Sequence, residues 1–368
     1  MTDSDVLAVS HALDVPVGKL YMLSNERIPR QAKSSSSKYK NYHTVVIKKG
    51  LFRKSRKLSV PNALLKMTQR RILHQYLYRL ELSSFSTAYQ PGRSLKDNAS
   101  PHLHQEYLIK LDISKFFDNI DADMVYSVMR QLGLSQAATV LLMRLCVHNS
   151  VLPQGAPTSP YIANLVMKRF DEHLGEWCGR RGINYTRYCD DMTFSGRKTD
   201  LLTCDLVRKV RRMLHGMGFE LNERKSLFLS CANQQKVTGI VVNEKLQVPR
   251  ELRRQLRQEV YFCLKFGPKE SLKRRGLKTS PEQYLHSLLG RIAFALQIDP
   301  DNLEMQGYHS QIKELTAQLE TKHCPERQFF LLLFSQRELL LLYQLCVHLL
   351  DHKCVNAGDP LRLVHVSL

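Results

Sequence analysis

The chain has 368 residues, 43% hydrophobic and 24% charged, a balance that suits a folded chain of two or three subdomains with a sizeable core. Its 54 Lys and Arg against 34 Asp and Glu leave a net charge of +20, which repels itself unless a polyanion offsets it, so nucleic acid is the expected partner. Nine cysteines without a C-x-x-C pair or Cys/His metal spacing read as reduced core thiols, and an acidic N-terminus lacking an apolar core argues against a secretory signal, so a cytoplasmic location is expected.

Residues 1 to about 32 read as helical, and the polar, Ser-rich run at 31–42 reads as a flexible connection. Residues 43–61 hold two short β-rich runs around a basic turn. A helix is predicted from about Asn62 to Leu82, with Leu64, Leu65, Ile72, Leu73 and Leu77 on its apolar side. The segment 106–113 is a predicted strand with Asp112 near its end, and 135–148 is a predicted helix. Another helix is predicted from Ser159 to Trp177, with Ser159 as N-cap and Pro160 in the first turn.

Residues 184–196 read as two short strands around a tight turn at Cys189-Asp190-Asp191, since Asp side chains bond local backbone in turns. An amphipathic basic helix is predicted over 198–216, then strands within 221–230 and 236–249, and mostly helix from about Arg250. The apolar stretch 329–350 is interrupted by Ser335, Gln336, Arg337 and Glu338, which fits a buried or partner-binding helix better than a membrane span.

Three acids that converge on one end of a sheet suit divalent cations, because hard Mg²⁺ prefers carboxylate and phosphate oxygens. In phosphoryl transfer two such ions stand roughly 3.5–4 Å apart and serve the attacking and leaving oxygens. Asp112 at a strand end, with Asp190 and Asp191 in a hairpin turn, are the candidates.

Three segments carry a resemblance. Tyr188-Cys189-Asp190-Asp191 forms a Y-x-D-D box, LDISKFFDNI at 111–120 a first catalytic strand, and LPQGAPTSPYIAN at 152–164 a substrate-side loop and helix. In this order and spacing they resemble reverse transcriptases over about residues 40 to 320. The resemblance implies an α+β right-hand polymerase with an antiparallel palm sheet and a helical thumb. Its expected divisions are an N-terminal helical segment and linker at 1–38, fingers at 39–105, palm with interleaved fingers elements at 106–240, thumb at 241–322 and a C-terminal helical extension at 323–368. Asn98-Ala99-Ser100-Pro101-His102 matches the N-A-x-x-H box of bacterial retron reverse transcriptases, and Val237-Thr238-Gly239 their V-T-G box. Group II intron-like or CRISPR-associated reverse transcriptases, and a catalytically silent RNA-binding protein on the same fold, are the alternative readings.

The resemblance also implies roles for single residues. Asp112, Asp190 and Asp191 would be catalytic and, with Ile113, hold two Mg²⁺ ions for which Mn²⁺ can substitute. Phe117 would lie beneath the sugar and exclude a ribonucleotide 2′-hydroxyl. Gln154 and Gly155 would lie against the incoming dNTP, and Gly permits close backbone approach. Arg56 would grip the triphosphate, with Lys54 or Lys57 as alternatives, and Lys225 would protonate the pyrophosphate leaving group. Asn98 and His102 would contact RNA. Read from spacing alone, Arg250, Arg253, Arg254 and Arg257 share one helical face and form a ridge suited to phosphates, extended by Lys269, Lys273, Arg274 and Arg275. The implied partners are a noncoding RNA that serves as template and primer, dNTPs, a single-stranded DNA product linked to RNA, and an effector protein in anti-phage defence.

Overall fold

The computed structural model describes residues 3–25, 40–49 and 53–323. The chain divides into two compact units, Met1–Pro249 and Arg250–Leu368. In the first, Asp3 caps helix α1 (Ser4–Leu13) by accepting the Asp5 and Val6 N–H groups, and Asp14 ends it in the left-handed region. Helix α2 (Val17–Ser24) follows Pro16. Ser135 donates its N–H to the Asp5 carboxylate at 2.6 Å and its hydroxyl to Asp3 at 2.9 Å. Val6, Val9, Leu13, Leu20 and Leu23 are buried in one core with Leu65 and Ile72, so the N-terminal helices share the core of the first unit. Residues 26–39, most of the expected flexible connection, lie outside the described residues.

Strands β1 (Tyr42–Lys49) and β2 (Arg53–Pro61) pair antiparallel, Tyr42 opposite Pro61, as the β-rich runs predict. Asn62 caps α3 (Ala63–Gln75) by accepting the Leu65 N–H. The predicted helix to Leu82 stops early: the chain turns aside at Tyr76 (φ −122°), and Leu77 reaches the core from a short 3-10 turn. Helix α4 (Leu95–Ala99) opens with a Ser94/Asp97 capping box.

Strand β3 (Tyr107–Asp112) precedes α5 (Ala122–Arg130), α6 (Gln136–Cys146) and α7 (Ser159–Gly179). Thr158, not Ser159, is the N-cap residue of α7, and the Ser159 hydroxyl donates instead to the Pro153 carbonyl at 2.7 Å. Strands β4 (Asn184–Tyr188) and β5 (Asp191–Gly196) form the predicted hairpin. The single basic helix predicted over 198–216 is two, α8 (Lys198–Thr203) and α9 (Leu206–His215), because Asp205 adopts a left-handed φ of 51° that no helix continues through. Then come β6 (Leu227–Ser230), β7 (Lys236–Val237) and β8 (Ile240–Val241).

The main sheet has the order β4-β5-β3-β6, all neighbours antiparallel. Side chains alternate between its faces. Asp112, Asp191, Thr193, Ser195 and Thr186 fall on one face, and Leu111, Ile109, Met192, Phe194, Tyr185 and Arg187 on the other, where Asp171 of α7 bonds Tyr185 and Arg187. Cys146, Cys178, Cys189 and Cys263 are buried thiols, whereas Cys231 is exposed, against the expectation of core positions throughout.

The second unit consists of α10 (Arg250–Arg275), α11 (Pro281–Ile298) and α12 (Leu303–His323). Gly267, at φ 78°, breaks α10 before Pro268. Leu256, Val260, Leu285, Leu288, Ile292 and Ile312 are among its buried apolar residues. Among them the buried Glu259 is clamped by Arg291 at 2.5 Å and by Arg275. Residues 324–368, with the apolar stretch at 329–350, lie outside the described residues. No single helix among the described residues is long and apolar enough to cross a membrane.

Candidate active site

Antiparallel pairing sets Asp112, the last residue of β3, directly opposite Asp191, the first of β5. Asp190 precedes it in the turn, and its carbonyl accepts the Ile113 N–H at 3.0 Å. The turn is tight because Tyr188 pairs with Asp191, which leaves only Cys189 and Asp190 between the strands. Cys189 takes a φ of 60°, strained for a residue with a side chain, and such strain persists only when the surroundings impose it. Arg187 is one such constraint. Fully buried, it makes a two-pronged bond to Asp171 at 2.8 and 2.5 Å and donates from Nη1 to the Cys189 carbonyl at 2.8 Å and to Asn164 at 3.2 Å. Asp171 also accepts the Tyr185 hydroxyl at 2.8 Å. Sequence reasoning missed this group, although an arginine in a strand otherwise destined for burial was a signal that it needed a buried carboxylate.

Burial raises the pKa of Asp191 above the usual carboxylate range, with the charges of Asp190 and Asp112 adding to it and those of Lys110 and Lys225 opposing it. Asn222 donates its N–H to the Asp112 carbonyl at 2.8 Å, which brings the 3-10 turn Glu223–Lys225 beside the acids. From that turn the Lys225 ammonium donates to Asp112 Oδ2 at 2.8 Å, and this bond raises the lysine pKa. The lysine side chain otherwise stays 60% exposed.

The other candidates divide. Phe117 is 8% exposed, its ring 5.4 Å from that of the more deeply buried Phe116, so both belong largely to the core. The Gln154 carbonyl accepts the Ser59 N–H of β2 at 2.8 Å, and a Cβ on Gly155, at φ 121°, would stand 2.9 Å from the Ser59 carbonyl oxygen. The glycine is therefore required by the close approach of the hairpin. Arg56 lies in β2 opposite Ile47, and its side chain lies outside what is described.

Asn98 and His102 require a correction. They are 1% and 0% exposed, which leaves no surface for direct RNA contact. Asn98 accepts from the Thr87 hydroxyl at 2.8 Å and donates to Thr238 at 3.3 Å, so the two boxes of the sequence meet inside the protein. His102 bonds Ser195 at 2.7 Å and Thr186 at 2.8 Å, tying the β4–β5 hairpin from the face that carries the acids. In the second unit Arg250 and Arg254 are exposed, while Arg253 is only partly so. Arg257 pairs with Glu304 at 2.7 Å but is 61% exposed, so it stays in the ridge as a weakly held charge.

The family model "Reverse transcriptase (RNA-dependent DNA polymerase)" matches residues 46–249. The retron Ec86 reverse transcriptase of Escherichia coli is 31% identical over 254 residues, which cover 67% of this chain and 77% of that protein. The retron Ec83 reverse transcriptase of the same organism is also 31% identical, over 70% of this chain and 84% of that protein. This chain belongs to the retron reverse transcriptases. A solved structure of apo telomerase from Candida tropicalis is similar with a TM-score of 0.45 at 11% identity, over 82% of this chain and 59% of that one.

The retron reverse transcriptase is thus an RNA-directed DNA polymerase of the right-hand fold, with β4-β5-β3-β6 as its antiparallel palm sheet. It uses an RNA template and dNTPs and depends on divalent metal. The acids fit such a metal: they offer hard carboxylate oxygens, and Asp191, whose pKa is raised first by burial and then by the charges of Asp190 and Asp112, would be favoured in its charged form by a cation. Among the described residues no three His, Cys, Asp or Glu side chains converge as a ready ligand set, and it is Lys225 that neutralises Asp112.

Proposed function

We propose that this enzyme copies a structured noncoding RNA, encoded beside it, into RNA-linked multicopy single-stranded DNA, and that Asp112, Asp190 and Asp191 are its catalytic residues. The supporting observation is the register that sets Asp112 opposite Asp191, with Asp190 next to it in a turn held by Arg187. These acids and Ile113 would hold two Mg²⁺ ions, with Mn²⁺ as a substitute, and the ions would supply activation of the primer hydroxyl and charge neutralisation at the pyrophosphate. Lys225, hydrogen-bonded to Asp112, would hand a proton to the leaving pyrophosphate. Phe117 would bring its exposed edge to the sugar, Gln154 and Gly155 would line the nucleotide, and Arg56 would bind the triphosphate. Arg250, Arg253, Arg254 and Arg257 would contact RNA phosphates. Fingers at 39–105, palm at 106–240 and thumb at 241–322 are the proposed divisions. The enzyme would act in the cytoplasm with an effector protein in anti-phage defence.

The test is the double substitution Asp190→Asn/Asp191→Asn. Primer extension on RNA should be lost while RNA affinity stays at the wild-type level, because the change removes metal-binding charge and leaves the basic surface intact. Extension at the wild-type rate would overturn the assignment.

A further inference from the structure

The face of the palm sheet away from Asp112 and Asp191 is covered by α7, whose Asp171 bonds Tyr185 and Arg187. Near the end of α7 stands Trp177, the only tryptophan of the chain. The Arg181 guanidinium lies 4.1 Å from its ring centroid, and the Lys209 ammonium of α9 lies 5.2 Å from it. Helix α9 buries Leu206, Val210 and Leu214 and contains no acid. Its opposite side exposes Arg208, Arg211, Arg212 and His215. Asp205 answers Arg208 at 3.3 Å and Glu223 answers Arg211 at 2.8 Å, but exposed pairs of this kind hold their charges weakly against water or a competing anion. Arg181, Lys209 and Arg212 have no carboxylate partner among the described residues.

A continuous band therefore runs from Arg211 across Arg208 and Arg212 to Lys209, Trp177 and Arg181. Guanidinium groups suit the paired oxygens of phosphate, and the partly buried Trp177 ring holds the Arg181 and Lys209 cations at one end of the band. We propose that this α7–α9 band is a second RNA-binding surface, which takes the sugar-phosphate backbone of a duplex portion of RNA lying outside the copying site. Helix α7 covers the sheet face away from the acids and sets Trp177 and Arg181 apart from the copying site, while Arg211, at the other end of the band, bonds Glu223 in the turn that carries Lys225. An acidic protein would meet the same charges. Arginine predominance and the polyanionic substrate of the enzyme favour RNA.

The test uses the full chain, a short blunt RNA duplex as the probe, and the emission of Trp177 as the reporter. Saturating duplex should shift that emission. The variant Arg208→Gln/Lys209→Gln/Arg212→Gln should bind the duplex more weakly, with a salt slope smaller by up to about three units, one for each phosphate that a basic side chain no longer neutralises. The same variant should extend a short DNA primer on a short RNA template at the wild-type rate, with an unchanged melting temperature. Duplex affinity and salt slope equal to wild type would overturn the proposal. So would polyglutamate that displaces the duplex and gives the same emission shift, which would assign the band to an acidic protein. Loss of short-primer extension in the triple variant would overturn the separation of the two surfaces. Failure of the wild-type enzyme to extend the short primer would instead count against the proposed polymerase site, and duplex binding would still decide the second surface.

Discussion

His102 is held by Ser195 and Thr186 through both ring nitrogens, and its burial pushes the imidazole pKa down to about 3. The folded state thus keeps a neutral ring where the unfolded chain, with a pKa near 6.5, takes up a proton. The stability is fully present above the unfolded pKa and is lost as pH falls from there toward the folded one, by at most about 1.4 kcal/mol per pH unit. Thermal melts from about pH 7.5 to about 4.5 should show a smaller acid-side slope for His102→Gln than for wild type. Equal slopes would assign the acid sensitivity to other groups. Arg187 acts differently, through charge and direction together. Arg187→Lys keeps the charge beside Asp171 but loses the Nη1 bond to the Cys189 carbonyl, so the acid-bearing turn should shift. A misplacement of this kind costs about 10–100-fold in kcat, with the dNTP KM near wild type. Steady-state kinetics on protein of verified melting temperature checks this, and an unchanged kcat would remove Arg187 from the positioning of the turn.

At the scale of elements, the loop before α7 is fastened to the β1–β2 hairpin by the Ser59 N–H bond to Gln154 and by the near contact of Gly155 with the Ser59 carbonyl. Gly155→Ala adds a methyl group 2.9 Å from that oxygen at a φ of 121°. The hairpin and loop would have to part, at a cost of about 1–3 kcal/mol from overpacking and backbone strain. Urea unfolding should register that loss, and kcat/KM for dNTP should fall because β2 and the loop both border the proposed nucleotide site. Wild-type values for both would show that the loop and hairpin move independently. The pair Asn98–Thr238 plays a comparable joining role, since it connects α4 to the turn between β7 and β8 from within.

Over the whole molecule, each unit has a buried carboxylate paired with arginine, Asp171 in the first and Glu259 in the second. In the second unit burial alone would raise the Glu259 pKa, but hydrogen bonds from Arg291 and Arg275 outweigh it and lower the value below the ordinary 4.5. The stabilisation from this depressed carboxylate is present above its unfolded pKa and disappears as pH falls through the folded one. Glu259→Gln leaves two partly exposed arginines without their shared charge and should cost about 1–3 kcal/mol at neutral pH, since water can reach both guanidinium groups. A calorimetric melt should show the loss, and it should shrink on acidification. An unfolding midpoint unchanged from wild type would mean that water replaces the carboxylate without penalty.

Strand β3, the β4–β5 hairpin and the three acids were legible in the sequence because their signals are local: short β-rich runs, one ending at an acid, and acids whose side chains suit a turn. The basic composition likewise pointed to nucleic acid before any packing was known. Polar residues were legible only as far as their neighbours in sequence allowed. Asn98 and His102 read as RNA contacts because a free polar side chain and a buried, paired one look the same in one dimension. Their partners Thr238, Ser195 and Thr186 lie 140, 93 and 84 residues away. The same holds for Arg257, which finds Glu304 47 residues on. Helix 198–216 broke at Asp205 although its apolar spacing continued. Amino-acid order thus determined which strands and turn carry the acids, and tertiary packing alone decided which charges face water and which are spent inside, because burial and pairing depend on contacts between distant segments.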